Sequence, residues 1–228
     1  MWAVYMADNE RALLIIHTSK NDRTDSMVEP IWQEIVDGGA SAFAATITAI
    51  RTLSPACRVE TLVPDFGGRD TSLATVLSAG PDVLNHNIET VRSRYRHARP
   101  GGNYDRALRL LDHARRHQPA RPTKSGLMVG LGETWDELLE TLTDLRRVEC
   151  GILTIGQYLR PSVAHLPVAR YYHPDEFAAL KQVAITLGFG HVESGPLVRS
   201  SYHAHKQAEA FAASRPTRQA VEAIGEHQ

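Results

Sequence analysis

Thr123-Lys-Ser-Gly-Leu-Met-Val-Gly-Leu-Gly-Glu-Thr134 leads through a helical pattern, Thr134–Val148, into Ile152-Leu-Thr-Ile-Gly-Gln-Tyr158. A short apolar run, a glycine-bearing turn, an amphipathic stretch and a second short apolar run spell one βαβ unit, whose two strands lie parallel. The helix marks its own start, because Thr134 followed three residues later by Glu137 is a capping-box pattern.

The same alternation continues outward in both directions. Upstream, Phe43, Ile47 and Ile50 share one helical face after Gly39, and Arg58–Val63 reads as a strand closed by Pro64-Asp65. Helical patterns at Asp70–Ser78 and Tyr104–His117 flank a strand at Asp82–Leu84. Downstream, Pro174-Asp-Glu opens a helix that runs to Leu187 and meets Gly188, where a left-handed cap is expected, before a last strand at His191–Glu193. No G-x-G-x-x-G or G-x-x-x-x-G-K-[ST] opens any strand–helix turn, so a doubly wound nucleotide fold is disfavoured. The expectation is an α/β chain forming a partial (β/α) barrel.

The ends differ from this middle. Met1–Gln33 holds one buried-looking run, Ala12–Ile16, followed by the polar stretch Ser19–Ser26. The expected organisation is a divergent segment over 1–35, the barrel over 36–204 and a polar tail over 205–228. Lys and Arg total 25 against 26 Asp and Glu, a formal net charge of -1, which leaves no basic excess for nucleic acid. No apolar run reaches the roughly 18 residues needed to span a bilayer, and the N-terminus lacks a secretory pattern. Cys57 and Cys150 are the whole cysteine complement, compatible with a reducing cytosol.

In barrels the chemistry sits on the loops after the strands, and polar residues collect at those places here. Asp65 follows the first of these strands. Asn85-His86-Asn87 and Glu89 follow the next. Lys124 and Ser125 lie early in the Thr123 strand, which ends at Gly130-Leu-Gly132-Glu133; Gln157-Tyr158 ends its successor. Glu193-Ser194-Gly195 leads into Arg199-Ser200-Ser201-Tyr202-His203. Each has an ordinary reading beside a functional one. The asparagines are turn formers, and the glycines relieve a tight turn or admit a ligand. Lys124 reaches solvent along its stem or carries charge in a site. His86 and His203 lack a metal-ligand partner at suitable spacing. His113 and His117 sit four apart on a solvated face with Arg115 and Arg116. A lysine-based lyase, with Lys124 as nucleophile and Asp65 and Glu133 as acid and base, is a further possibility.

Read together, Val63-Pro-Asp-Phe, Asn85-His-Asn-Ile-Glu-Thr, Arg99-Pro-Gly, Thr123–Thr134, Leu153-Thr-Ile-Gly-Gln-Tyr-Leu and His191–Ala204 resemble the lipoyl synthase family of radical S-adenosylmethionine enzymes, in order and over about Val36 to Ala204. Asp37-Gly-Gly-Ala, Phe43-Ala-Ala-Thr-Ile and His165-Leu-Pro-Val belong to the same resemblance. It implies a radical-SAM (β/α) barrel, incomplete at its N-terminal strands. It further implies insertion of two sulfur atoms, at C6 and C8, into a protein-bound octanoyl group in lipoate biosynthesis. S-adenosylmethionine and two [4Fe-4S] clusters would be the cofactors. The partners would be octanoylated lipoyl domains of 2-oxoacid dehydrogenase complexes or the glycine cleavage H protein, in the cytoplasm.

By resemblance, Asn85, Asn87 and Glu89 line the cofactor cleft. Gly130 and Gly132 let backbone approach the cofactor, and Glu133 meets its ribose or amino group. Gln157 and Tyr158 close the wall below the adenosine, while Lys124 and Arg199 bring positive charge. Ser200, with Ser201 second, takes the place of the serine that ligates an auxiliary cluster iron. The family's CxxxCxxC loop and its second cysteine trio have no counterpart here, and residues before about Val36 do not resemble the family. The chain alone is therefore expected to hold no stable cluster, and a non-catalytic remnant binding S-adenosylmethionine or a lipoyl-domain peptide is the alternative. Val198 and Tyr202 are expected to bury some apolar surface, and Arg199 to pair with an acid such as Glu193.

Overall fold

The computed structural model describes residues 14–17, as backbone, and 36–200. Six strands form one sheet in the order in which they occur along the chain: β1 (Leu14–His17), β2 (Val59–Leu62), β3 (Val83–Asn85), β4 (Thr123–Val129), β5 (Ile152–Gln157) and β6 (His191–Gly195). Every neighbouring pair is parallel. The helices in the crossovers are α1 (Ala40–Leu53), α2 (Asp70–Ser78), the single-turn α3 (Tyr95–Ala98), α4 (Tyr104–His117), α5 (Trp135–Arg147) and α6 (Pro174–Thr186). Strands added strictly in chain order through helical crossovers make the singly wound arrangement of a (β/α) barrel. Among the described residues no ladder joins β6 back to β1, so the barrel is open.

The Ala12–Ile16 run, which fits no repeat by itself, contributes β1: Leu14–His17 pairs in register with Val59–Leu62. The rest of 1–35, and all of the chain beyond Ser200, lies outside the described residues. The last strand runs to Gly195, beyond the expected Glu193.

The helices start where their side chains can satisfy free backbone N–H groups. Thr134 and Glu137 close the expected capping box on α5, Asn103 accepts from Arg106 N on α4, and His173 caps α6 ahead of Pro174. Gly188, at φ +92°, turns the chain after α6. One face of the sheet meets these helices. Val59, Val63 and Leu84 pack with Phe43, Ile47, Leu73 and Leu77, while Leu127, Val129, Leu153, Ile155 and Val192 pack with Leu111, Leu138, Leu142, Phe177 and Leu180. Each such fully buried aliphatic contributes about 2 kcal/mol. Because side chains alternate along a strand, the intervening residues Glu60, Asn85, Lys124, Gly126, Thr154 and Gly156 occupy the opposite, inner face.

Candidate functional site

The inner face begins with a charge pair. Lys124 and Glu60 are 0% and 1% exposed, and Lys124 Nζ lies 2.9 Å from Glu60 Oε1 and 3.0 Å from Oε2. Asn85, fully buried, donates from Nδ2 to Glu60 Oε1 at 2.8 Å. The register explains the meeting, since Asn85 sits opposite Leu62 on one side and Lys124 on the other. Lys124 therefore does not reach solvent, and it is not a free cation for a carboxylate or a Schiff base. Asp65, the acid of the lyase reading, is tied to Arg106 at 2.6 Å and caps Gly67 N. Despite its partial burial, the Gly67 amide and Arg106 hold its carboxyl below the usual carboxylate range.

Beyond β3 the chain continues along β4. His86 N donates to Lys124 O, Glu89 N to Gly126 O, and Met128 N to Glu89 O. Three consecutive side chains here are incompletely partnered: Asn85 Oδ1, His86 Nε2 and Asn87 Oδ1 are buried without a hydrogen bond among the described residues. His86 Nδ1 faces Val63 O at 2.8 Å. A carbonyl only accepts, so Nδ1 carries the proton and Nε2 is a bare acceptor. Burial, with the nearby Arg99 charge, pushes this imidazole down to about 4, so it is neutral at pH 7. Gly126 makes room for Asn87, because a Cβ there would lie 2.6 Å from Asn87 Oδ1 and 3.1 Å from Thr154 Oγ1. Glu89 holds a left-handed backbone at φ +67°, a strained conformation for a residue with a Cβ, of a kind that collects at functional sites. Burial pushes its carboxyl up, against the pull of Arg99 and a hydrogen bond from Asn87.

The ends of β4 and β5 are arranged differently. Glu133 accepts from Gly130 N at 2.6 Å and Leu131 N at 2.8 Å, so both its oxygens close their own loop. Gly130, at φ +100°, is required by a contact within the protein: a Cβ would strike Gln157 Nε2 and the Arg170 carbonyl. Gly132 is also left-handed, at φ +92°. Gln157 donates to Tyr158 O and Arg170 O and accepts from Tyr172 N. The Tyr158 hydroxyl donates to Leu166 O at 2.9 Å. These side chains clamp the 159–172 crossover onto β5.

At the far edge, the Val198 carbonyl covers Gly156. Arg199 donates to Gln157 O and Val198 O. It does not take Glu193, which faces His191 Nε2 at 3.1 Å and Lys181 Nζ at 3.8 Å. Val198 is buried as expected. Ser200 is half-buried at the end of the described chain; Ser201, Tyr202 and His203 lie outside it. His113 contacts Asp70 at 3.0 Å.

Asp65, Asn85, Gly130, Gln157 and Ser194 all fall at C-terminal ends of parallel strands, and hence on one rim. The residue missed from sequence is Glu60. Its partners lie 25 and 64 positions away, so only its place in the short strand that also holds Val59 and Leu62 hinted at burial.

S-adenosylmethionine fits what the β3 end offers, since its ammonium and ribose hydroxyls are donors for the bare oxygens of Asn85 and Asn87. The clusters do not fit. The only two cysteines are buried in separate loops; burial raises the Cys57 thiol, and pushes Cys150 up to about 12, the opposite of what a thiolate ligand needs. No group of three His, Cys, Asp or Glu suited to a metal occurs among the described residues. No described helix is long and apolar enough to cross a membrane.

The radical SAM superfamily model matches residues 34–145. The lipoyl synthase of Koribacter versatilis (strain Ellin345) is 58% identical over 171 residues, which are 75% of this chain and 56% of that protein. The lipoyl synthase of Rubrobacter xylanophilus is 57% identical over 176 residues, 77% of this chain and 55% of that one. The chain thus spans a little over half the length of these relatives. Among solved structures, methylornithine synthase superposes with a TM-score of 0.55 at 12% identity, covering 94% of this chain and 71% of that one, a likeness of fold. By sequence, about three quarters of the chain is similar to the lipoyl synthases of the radical S-adenosylmethionine superfamily, and the likeness to methylornithine synthase is one of fold alone.

Proposed function

We propose that the chain serves lipoyl-synthase chemistry, the insertion of two sulfur atoms at C6 and C8 of an octanoyl group on a lipoyl domain or H protein in the cytoplasm. The observation that carries this reading is the 58% identity to a lipoyl synthase over 171 residues. Asn85 and Asn87 would hold S-adenosylmethionine through their bare oxygens, with Glu89 beside them. Arg199, exposed at the opposite edge, would face its carboxylate. Gly130, Gly132, Glu133, Gln157 and Tyr158 would shape the neighbouring wall, and Ser200 would stand at the auxiliary-cluster position. Given one electron from a cluster held outside these residues, S-adenosylmethionine would supply, with loss of methionine, the 5′-deoxyadenosyl radical that abstracts hydrogen from C–H bonds. The cluster thiolates would have to come from outside these 228 residues, because Cys57 and Cys150 are buried apart.

The buried cysteines also favour a second reading, in which the chain binds S-adenosylmethionine or a lipoyl-domain peptide without catalysis. Titration of the chain with S-adenosylmethionine, followed calorimetrically, is expected to show saturable binding that Asn87→Leu weakens about tenfold, the effect of one lost hydrogen bond. Iron and sulfide reconstitution is expected to leave no stoichiometric iron and no broad visible absorbance. No binding of S-adenosylmethionine would remove the proposed function. Cluster absorbance would remove the assignment of the thiolates to another source.

A further inference from the structure

We infer that Glu60 is a positioning residue: it fixes the Asn85 side-chain amide so that its oxygen, and not its nitrogen, is the group left for a ligand. An amide has two faces of nearly equal shape and opposite hydrogen-bonding character, so something must choose between them. Glu60 makes that choice. Its carboxylate can only accept, and one of its oxygens lies 2.8 Å from Asn85 Nδ2. The flipped amide would set oxygen against oxygen at that distance in a site sealed from water.

Lys124 completes the device. An unpaired carboxylate at 1% exposure would be costly, and Lys124 Nζ, against both of its oxygens, supplies the countercharge. The ammonium is a pure donor, which keeps Glu60 an acceptor, which in turn keeps Asn85 Nδ2 turned toward it. What remains is Asn85 Oδ1, buried and without a partner among the described residues. An acceptor of this kind selects ligand groups that bear N–H or O–H, such as an amine, an ammonium or a hydroxyl, and rejects a carboxylate. The inference rests on the proposed function for the identity of that ligand, and on geometry alone for the orientation.

The test uses the whole chain with the double substitution Glu60→Leu, Lys124→Met, which removes both charges at similar volume and so avoids a lone buried ion. Glu60→Gln, Lys124→Met is the second variant; it keeps a hydrogen-bonding group that either amide orientation can satisfy. Both are first checked for a cooperative unfolding transition. In the wild type, the Asn85 side-chain NH2 signals in a 1H–15N spectrum should exchange slowly with solvent. In a folded variant they should exchange at least about tenfold faster, with S-adenosylmethionine binding weakened by about tenfold. Glu60→Asp, which keeps the acceptor, should restore part of both. Unchanged Asn85 NH2 exchange in a folded double variant would overturn the inference. Altered exchange with unchanged S-adenosylmethionine affinity would overturn its ligand half. A wild-type chain that binds no S-adenosylmethionine would count against the proposed function, while the amide exchange would still decide the orientation.

Discussion

The end of β3 and the ends of β4 and β5 lie on the same rim and both read as polar clusters in the sequence, Asn85, His86, Asn87 and Glu89 at the first and Gly130, Gly132, Glu133 and Gln157 at the others. In the structure they have opposite hydrogen-bond economies. At β4 and β5, Glu133 uses both oxygens on backbone N–H groups and Gln157 makes three bonds to its own chain. At β3, Asn85, His86 and Asn87 each keep a buried acceptor with no donor among the described residues. A buried polar group without a partner costs on the order of 1–3 kcal/mol, and a ligand donor at the β3 end, as the proposed function has it, would offset that cost. The first region, at β4 and β5, braces the crossovers, and the second, at β3, is where, on the proposed function, a donor-bearing ligand would sit.

The largest expected effect comes from the device beneath the open region. Lys124→Met alone strands the Glu60 carboxylate in the interior, and breaking a buried pair this way costs about 3–5 kcal/mol. Urea unfolding should show it as a lower midpoint at unchanged slope. A loss below about 1 kcal/mol would mean that water reaches Glu60 and that the floor is not sealed.

How much of this could be read from the chain follows the range of the interactions. The helices, Thr134 with its capping box, Pro174 at the start of α6 and Gly188 at its end are set within a few residues, and they came through to within a residue or two. The residues lining the rim were also legible, because polar groups interrupt apolar strands at regular places. Their roles were not. Lys124 reads as a snorkelling or ligand-facing cation until Glu60 is placed beside it across two strands. Gly130 reads as an approach for a ligand until Gln157 and Arg170 fill the space. Both facts depend on sheet register, which the sequence pattern leaves open. Ala12–Ile16 carried too little periodicity to declare a strand, and only pairing with β2 makes it one.

Acid should act next most strongly, and on the β3 side. His86 is held at about 4 in the fold, against an ordinary value near 6.5. Between those values the unfolded chain binds a proton that the folded chain refuses. Stability therefore rises with pH across this window and is lost as pH falls from 6.5 toward 4, by up to about 3 kcal/mol. His86→Gln, which cannot titrate, should flatten that part of the stability profile. If the slope persists, the titrating group lies elsewhere.

On the β4 side, Gly130→Ala should cost about 2 kcal/mol. The new methyl meets Gln157 Nε2 and the Arg170 carbonyl at a backbone φ of +100°, combining overpacking with a disfavoured conformation. The loss should appear in thermal unfolding, with S-adenosylmethionine affinity in the folded protein weakened less than by Asn87→Leu. A change in affinity without a change in stability would reverse the assignment of the two regions.

The smallest effect belongs to Ser200, at the edge of both. Among the described residues Arg199 hydrogen-bonds only to backbone carbonyls, and the one on Gln157 is at 3.5 Å, the limit of a hydrogen bond. Among the described residues the Ser200 hydroxyl has no hydrogen-bond partner. Fixing each backbone residue costs roughly 1–2 kcal/mol of conformational entropy, and these contacts barely match it. In a cluster-bearing protein, coordination by such a serine would offset that cost. Cys57 and Cys150, buried apart, provide no cluster here. Ser200→Ala is therefore expected to change unfolding free energy by less than about 0.5 kcal/mol, and the Arg199 and Ser200 amides to exchange far faster than that of Gly156, which lies within β5. A loss of several kcal/mol on removing one hydroxyl would instead mean that Ser200 binds a strongly held group, and metal analysis of the purified chain would identify it.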